Sequence, residues 1–276
     1  MIPQRNLSLL ANRLAKAGGR RIPESALERD YCLAWFLSVL SQTALHGILA
    51  FKGGTALKQC YFSDCRFSED LDFTLLQPTT LPEILRDLEP VYVGVREASG
   101  IQFGFDREDR HVHENSHTFL LRYTGPLPAG GTVKVDVTIR EHLAFPLQNR
   151  LVLRAYEEYA DLPEGRVVQT YSLAEIISEK VVALVDRARN EPRDLYDLWY
   201  LISRGGTELA SLLPAISAKL AFRNMPAAGL QEAILRKAAR LKALWSARLA
   251  NQMVALPPFE QVFRELRRAL RQADLP

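Results

Sequence analysis

Hydrophobic positions near the start of the chain recur every three or four residues. Ala34, Leu37, Leu40 and Leu45 recur at roughly helical spacing, and helices are predicted over residues 7–17 and 25–46. The pattern then shortens. An apolar run at 48–51 stops at Lys52-Gly53-Gly54-Thr55, and a helix is predicted over 56–62. A second strand, 71–76, lies between an acidic run and the prolines Pro78 and Pro82, with a helix expected at 81–88. Further strands are predicted at 101–105, 118–123 and 132–139. In the last of these Val133, Val135, Val137 and Ile139 alternate with Lys134, Asp136 and Thr138, the signature of a half-buried strand. A strand at 167–170 completes the set. Beyond residue 171 only helical periods remain, at 172–187, 192–203, 207–221, 230–249 and 259–272. Runs of strands and runs of helices segregate into layers or subdomains. The expectation is an α/β or α+β body with a leading helical cap over residues 1–171, followed by a helical domain over 172–276.

Composition removes several classes. The chain has 276 residues, 47% hydrophobic and 24% charged, proportions of a folded protein rather than a disordered or collagenous one. Cys32, Cys60 and Cys65 make an odd number without a CxxC or Cys/His spacing, so neither a disulfide framework nor a structural zinc is expected. No apolar run reaches the roughly 18 residues of a membrane helix, and the N-terminal stretch lacks a signal core. A cytoplasmic location without membrane partners is expected. Charge is uneven: from Lys219 onward 11 Lys and Arg face 4 Asp and Glu, while residues 1–218 carry a net charge of −4. A basic tail of this kind suits a polyanion, although a solvated helix face is an equally ordinary reading.

Candidate chemistry concentrates between Phe51 and Phe73. Asp70 and Asp72 are one residue apart on a predicted strand, so their carboxylates share a face while Leu71 points into the core. Close like charges call for a cation between them, and Mg²⁺ takes oxygen ligands from one or two carboxylates and from phosphates. Two solvated acids at a strand end would be the plainer reading of these residues alone. Upstream, Gly53 and Gly54 permit a close backbone approach that can cradle a phosphate, and Thr55 adds a hydroxyl. The spacing is not that of a Walker A loop. Asp136 offers a third carboxylate, and three acids from two adjacent strands can hold two metal ions for an in-line phosphoryl displacement.

In the helical half, Lys180 and Arg187 lie seven residues apart on nearly one helix face, with Arg189 and Arg193 following; such a row can clamp a triphosphate. Asp194 and Asp197 can orient these cations, or simply brace a helix start. His111, His113 and His117 read as a polar loop. Tyr196, Trp199 and Tyr200 read as core packing, and the cysteines as buried or incidental.

Taken in order, the glycine turn, the DxD strand and the later carboxylate strand resemble the nucleotidyltransferase superfamily of DNA polymerase β type. More narrowly, the chain resembles the AbiEii/AbiGii toxin family, which includes the MenT-type toxins. The likeness runs through FKGGTAL at Phe51–Leu57, RFSEDLDF at Arg66–Phe73, KVD at Lys134–Asp136 and the helical block from Ser172 to Trp199, over about residues 48–204. The resemblance implies a polymerase β-type core with a mixed sheet and active-site roles for Ser68, Asp70, Lys180 and Asp194. It also implies an abortive-infection toxin that moves an NMP group from an NTP to RNA, tRNA in particular, with a cognate antitoxin. On this reading Asp70, Asp72 and Asp136 hold Mg²⁺, or Mn²⁺ in its place. Lys52, Gly53, Gly54, Thr55, Arg66, Lys180, Arg187 and Arg193 bind the nucleotide. A protein or small-molecule acceptor, and a noncatalytic nucleotide-binding module, are the rival readings.

Overall fold

The computed structural model describes residues 1–17, 19–110, 114–186, 188–204 and 207–275. They form two compact units. The first comprises Met1–Glu141, Leu147–Tyr171 and Asn251–Val254; the second comprises His142–Pro146, Ser172–Ala250 and Ala255–Pro276.

The first unit is built on a seven-stranded mixed sheet. In chain order its elements are α1 (Gln4–Lys16), α2 (Glu24–Leu40), β1 (Leu49–Lys52), α3 (Gly53–Ala56), β2 (Leu71–Leu75), α4 (Leu81–Ser99), β3 (Gln102–Glu108), β4 (Ser116–Thr124), β5 (Gly131–Thr138), β6 (Gln148–Leu151) and β7 (Val167–Thr170). The strand order is β3-β4-β5-β2-β1-β7-β6. β2 runs parallel to β5 and β1 parallel to β7, while the remaining neighbours are antiparallel.

Strand alternation sorts this sheet into two faces. Phe51, Leu71, Phe73, Phe119, Leu121, Val133, Val135 and Val137 are all buried in the core with residues of α2 and α4. Lys52, Asp72, Thr118 and Asp136 occupy the alternate positions and so share the opposite face.

Several departures from the sequence expectation fall in this unit. α2 stops at Leu40 rather than reaching 46, where Ser41 and Thr43 hydroxyls donate to the Ser38 and Leu40 carbonyls and draw them away from a continuing helix. α4 does not stop at 88 but runs to Ser99 through Pro90. It starts on a Thr80/Glu83 capping box, buries Ile84, Leu88, Val91, Tyr92 and Val95 along one side, and ends at Gly100 with φ +78°. That apolar stripe offsets the roughly 3 kcal/mol expected for an interior proline. β6 was not foreseen, because Gln148-Asn149-Arg150-Leu151 is a mostly exposed edge strand with no apolar alternation. His117 lies within β4, paired with Val137, and not in a loop; His111 and His113 fall outside the described residues.

The second unit is helical: α5 (Leu173–Val185), α6 (Pro192–Ser203), α7 (Leu213–Phe222), α8 (Leu230–Arg236), α9 (Ala238–Leu249) and α10 (Phe259–Gln272). The single helix expected over 230–249 breaks at Lys237, whose ammonium turns inward to the carbonyls of Asp186 and Arg189. Tyr196 and Tyr200 are buried, with Tyr196 packed beside Trp245, and the Trp199 indole donates to Glu265 at 2.7 Å. Lys219, the first cation of the basic tail, does not face solvent: it is fully buried, paired with Glu175 at 2.5 Å and donating to the His142 carbonyl. Among the described residues no helix is long and apolar enough to cross a membrane.

Candidate active site

β1 delivers Lys52 to the polar face of the sheet and the chain then turns at Gly53, whose φ of +76° a side chain would strain. Space excludes a side chain too. A Cβ on Gly53 would overlap Asp72 Oδ2 and stand 3.1 Å from its Cγ. A Cβ on Gly54 would come within 2.5 Å of an Arg66 guanidinium nitrogen and 3.2 Å of Ser68 Oγ. The two glycines thus let the chain pass directly beside three of the side chains singled out from the sequence.

Asp72 stands in a row. It pairs with Lys52 across the antiparallel β1–β2 ladder and with Asp136 across the parallel β2–β5 ladder, and Asp136 pairs in turn with Thr118 of β4. Residues directly opposite in a ladder present their side chains on one face about 5 Å apart, so the two carboxylates project side by side. The Lys52 ammonium reaches over β2 to Thr138 Oγ1 at 2.9 Å and lies 5.5 Å from the centre of the Tyr171 ring. Tyr171 is fixed by a 2.6 Å hydrogen bond between its hydroxyl and that of Thr74. The Thr118 hydroxyl approaches Asp136 Oδ2 at 3.5 Å, which is long for a hydrogen bond.

Asp70 lies one residue ahead of β2 rather than within it, so strand alternation does not set its direction. Its approach is fixed by Thr55, which is buried and whose hydroxyl donates to the Asp70 carbonyl. Thr55 therefore holds the segment before β2, a use of its hydroxyl that the sequence reading did not anticipate.

Two braces were not legible in the sequence. Arg66 is buried; it donates to Gln252 Oε1 at 3.0 Å and to the Phe67 carbonyl, while the Phe67 N–H donates to the Gln252 carbonyl at 2.7 Å. Lys58 donates to the Ser63 carbonyl and, at 2.9 Å, to the Tyr156 hydroxyl, with its ammonium 4.4 Å from the centre of the Phe67 ring. Burial holds the Lys58 pKa below the ordinary lysine value in spite of the attraction of Asp30. Residues 63–68 are thereby gripped from two sides.

In the second unit the Lys180 ammonium bridges Asp194 and Asp197, at 2.7 Å to each. Arg189 donates to the other oxygen of Asp194 at 2.5 Å. Burial pushes the Asp194 carboxyl upward, but Lys180 and Arg189 together outweigh it and hold the group well below the usual carboxylate range. Arg193 lies 3.6 Å from Glu191. Arg187 lies outside the described residues.

Among the described residues no group of three or more His, Cys, Asp or Glu is arranged to hold a metal ion. The acidic arrangement is the Asp72–Asp136 pair with Asp70 ahead of it. The three cysteines are buried, and burial raises the Cys60 thiol to about 12, which leaves it inert as a nucleophile.

Comparison with solved structures finds the nucleotidyltransferase toxin MenT4 from Mycobacterium tuberculosis H37Rv, with a TM-score of 0.65 and 20% identity, over 96% of this chain and 89% of that one. At that identity the likeness speaks for the fold: a mixed α/β architecture with a C-terminal helical region. Comparison with curated proteins finds no match. The family described as "Nucleotidyl transferase AbiEii toxin, Type IV TA system" matches residues 35–268, most of the length of both units. The chain therefore belongs to the AbiEii nucleotidyltransferase toxins of type IV toxin–antitoxin systems.

Proposed function

We propose that this toxin transfers the nucleoside monophosphate group of an NTP to a hydroxyl of an RNA acceptor, tRNA in particular, in a reaction that requires Mg²⁺ or Mn²⁺. Family membership already brings an NTP substrate and a cognate antitoxin; the acceptor and the metal are our reading. One observation carries it. Asp72 and Asp136 oppose each other across parallel strands, with Gly53 leaving the Asp72 carboxylate bordered by bare backbone.

The acceptor oxygen forms a bond to the α-phosphorus as the bond from that phosphorus to the β-phosphate bridging oxygen breaks, and pyrophosphate leaves. Asp136 takes the acceptor proton. Gly53 and Gly54 admit the phosphates close to the main chain, Ser68 offers its hydroxyl and Arg66 its positive charge beside Gly54, and Lys52 adds charge along the Asp72 row. Thr55 keeps Asp70 in place. Lys180, Arg187 and Arg193 are the further residues that the sequence reading assigns to nucleotide binding, and within the second unit Asp194 with Asp197 sets the Lys180 ammonium.

Asp70, Asp72 and Asp136 are the residues that would hold the metal, which would neutralise charge on the reacting phosphate oxygens. Mg²⁺ typically relies on one or two carboxylates and completes its shell with phosphates and water, and a facing pair with a third acid nearby suits that chemistry.

Labelled NTPs incubated with the protein and either total tRNA or total protein test the acceptor. Label in tRNA is expected, and label confined to protein contradicts the reading.

A further inference from the structure

α10 carries its charge in a pattern that its packing does not use. Phe259, Val262, Leu266 and Leu270 are buried along one side, while Arg264, Arg267, Arg268 and Arg271 are all exposed. At 100° per residue these four arginines fall within about 100° of arc, nearly opposite the buried side, and extend about 10 Å along the axis.

Of the seven other cations of the basic tail, Arg236, Arg240 and Arg248 are exposed on α8 and α9, while four are committed to the protein itself. Lys219 is paired with Glu175, Lys237 is bound to main-chain carbonyls, Arg223 lies 3.6 Å from Glu179 and Lys242 lies 2.5 Å from Glu260. On α10, by contrast, Arg267, Arg268 and Arg271 make no ion pair or hydrogen bond among the described residues, and Arg264 has only the attraction of the neighbouring Glu265. Spacings of three and four residues make like-charge neighbours of 264/267, 264/268, 267/271 and 268/271, each of which disfavours the helix. The helix dipole compensates Arg271 in the last turn but not Arg264. Four arginines whose mutual repulsion costs the helix, exposed on its face away from the buried side, call for a polyanionic partner. Guanidinium groups grip phosphate oxygens in fork geometry.

We infer that the arginine face of α10 is the docking surface for the phosphate backbone of the RNA acceptor, an inference that rests on the RNA reading given above. It predicts which contacts give this chain its salt-dependent affinity.

The test uses the full chain, fluorescently labelled total tRNA, and anisotropy titrations over a range of salt. It compares the wild type with the fourfold variant Arg264→Gln, Arg267→Gln, Arg268→Gln, Arg271→Gln. An equally charged control carries Arg5→Gln, Lys16→Gln, Arg86→Gln and Arg96→Gln at exposed positions of the first unit. With roughly 0.7 to 0.9 counterions released per phosphate contact, the slope of log affinity against log salt should shrink by about 3 in the α10 variant and hold in the control. The KM for tRNA should rise at least tenfold with kcat unchanged, and the melting temperature should hold or rise as like charges are removed. An unchanged slope overturns the inference, as does an equal loss in the control. Normal tRNA binding combined with lost neutralisation by the antitoxin would make the face a protein interface and also overturn it. If the wild type binds tRNA through this face yet transfers no label to it, the acceptor reading fails while the docking surface stands.

Discussion

Gly53 and Asp72 share one volume: where a side chain would stand on Gly53, the Asp72 carboxylate already does. The glycine is needed for this contact as well as for its φ of +76°. Gly53→Ala must accept both a left-handed backbone, costing about 1–2 kcal/mol, and displacement of Asp72. Denaturant titration should show a loss of that size, and transfer should fall at least about a hundredfold, the scale of losing one aligned electrostatic group. A soluble Gly53→Ala protein with full activity would separate the turn from the chemistry.

Gln252 should behave as a positioning residue for the 66–70 segment. Gln252→Ala removes a side-chain acceptor of Arg66 but leaves the main-chain bond from Phe67. A hydrogen bond to a charged group contributes about 1.5–3 kcal/mol. The variant should lose stability on that scale, with a lowered kcat for transfer that Gln252→Glu, which keeps an acceptor, restores in part. Unaltered kcat in Gln252→Ala would make the brace irrelevant to the reaction.

These particulars indicate what the chain reveals before folding. The side of the sheet on which Asp72 and Asp136 lie was legible, because Leu71, Phe73, Val135 and Val137 must be buried and alternation does the rest. That the two carboxylate strands are neighbours was expected as well, but not their register: it requires β5 to pair in parallel with β2, passing over β3 and β4, and no local pattern encodes that. The Lys180 contacts with Asp194 and Asp197 followed from a helix pair close in sequence. Gln252 lies 186 residues from Arg66 and could not be foreseen. Nothing in the sequence singles out Lys58 within the helix predicted over 56–62, yet the fold encloses it among Phe67, Tyr156 and Ser63.

The Asp194 carboxyl sets a pH dependence of stability. Its folded pKa lies below its ordinary value of 3.8, so the folded state binds protons less readily than the unfolded state. The stabilisation is fully present above about pH 4 and is lost as the pH falls from there through the folded value. Thermal melts of the wild type between pH 5 and pH 2 should show this loss, and Asp194→Asn should show a shallower decline from a lower starting stability. Lys180→Met, which takes the shared ammonium from two buried carboxylates, should be more damaging at neutral pH, by about 3–5 kcal/mol.

Metal removal provides a fourth check. Treatment with EDTA should abolish transfer without unfolding the protein, since Asp72 and Asp136 lie on strands whose opposite face is packed independently of any ion. Added Mg²⁺ or Mn²⁺ should restore activity. Full transfer in excess EDTA would remove the metal from the account.

The facing carboxylates of Asp72 and Asp136 are the centre of the argument, and their direct test is transfer of labelled nucleotide to tRNA by Asp72→Asn and Asp136→Asn proteins beside the wild type. Both substitutions keep the side-chain shape and remove the charge. The account predicts that each variant folds, with wild-type circular dichroism, and loses at least about a hundredfold in transfer rate. Either variant transferring label at the wild-type rate would contradict it.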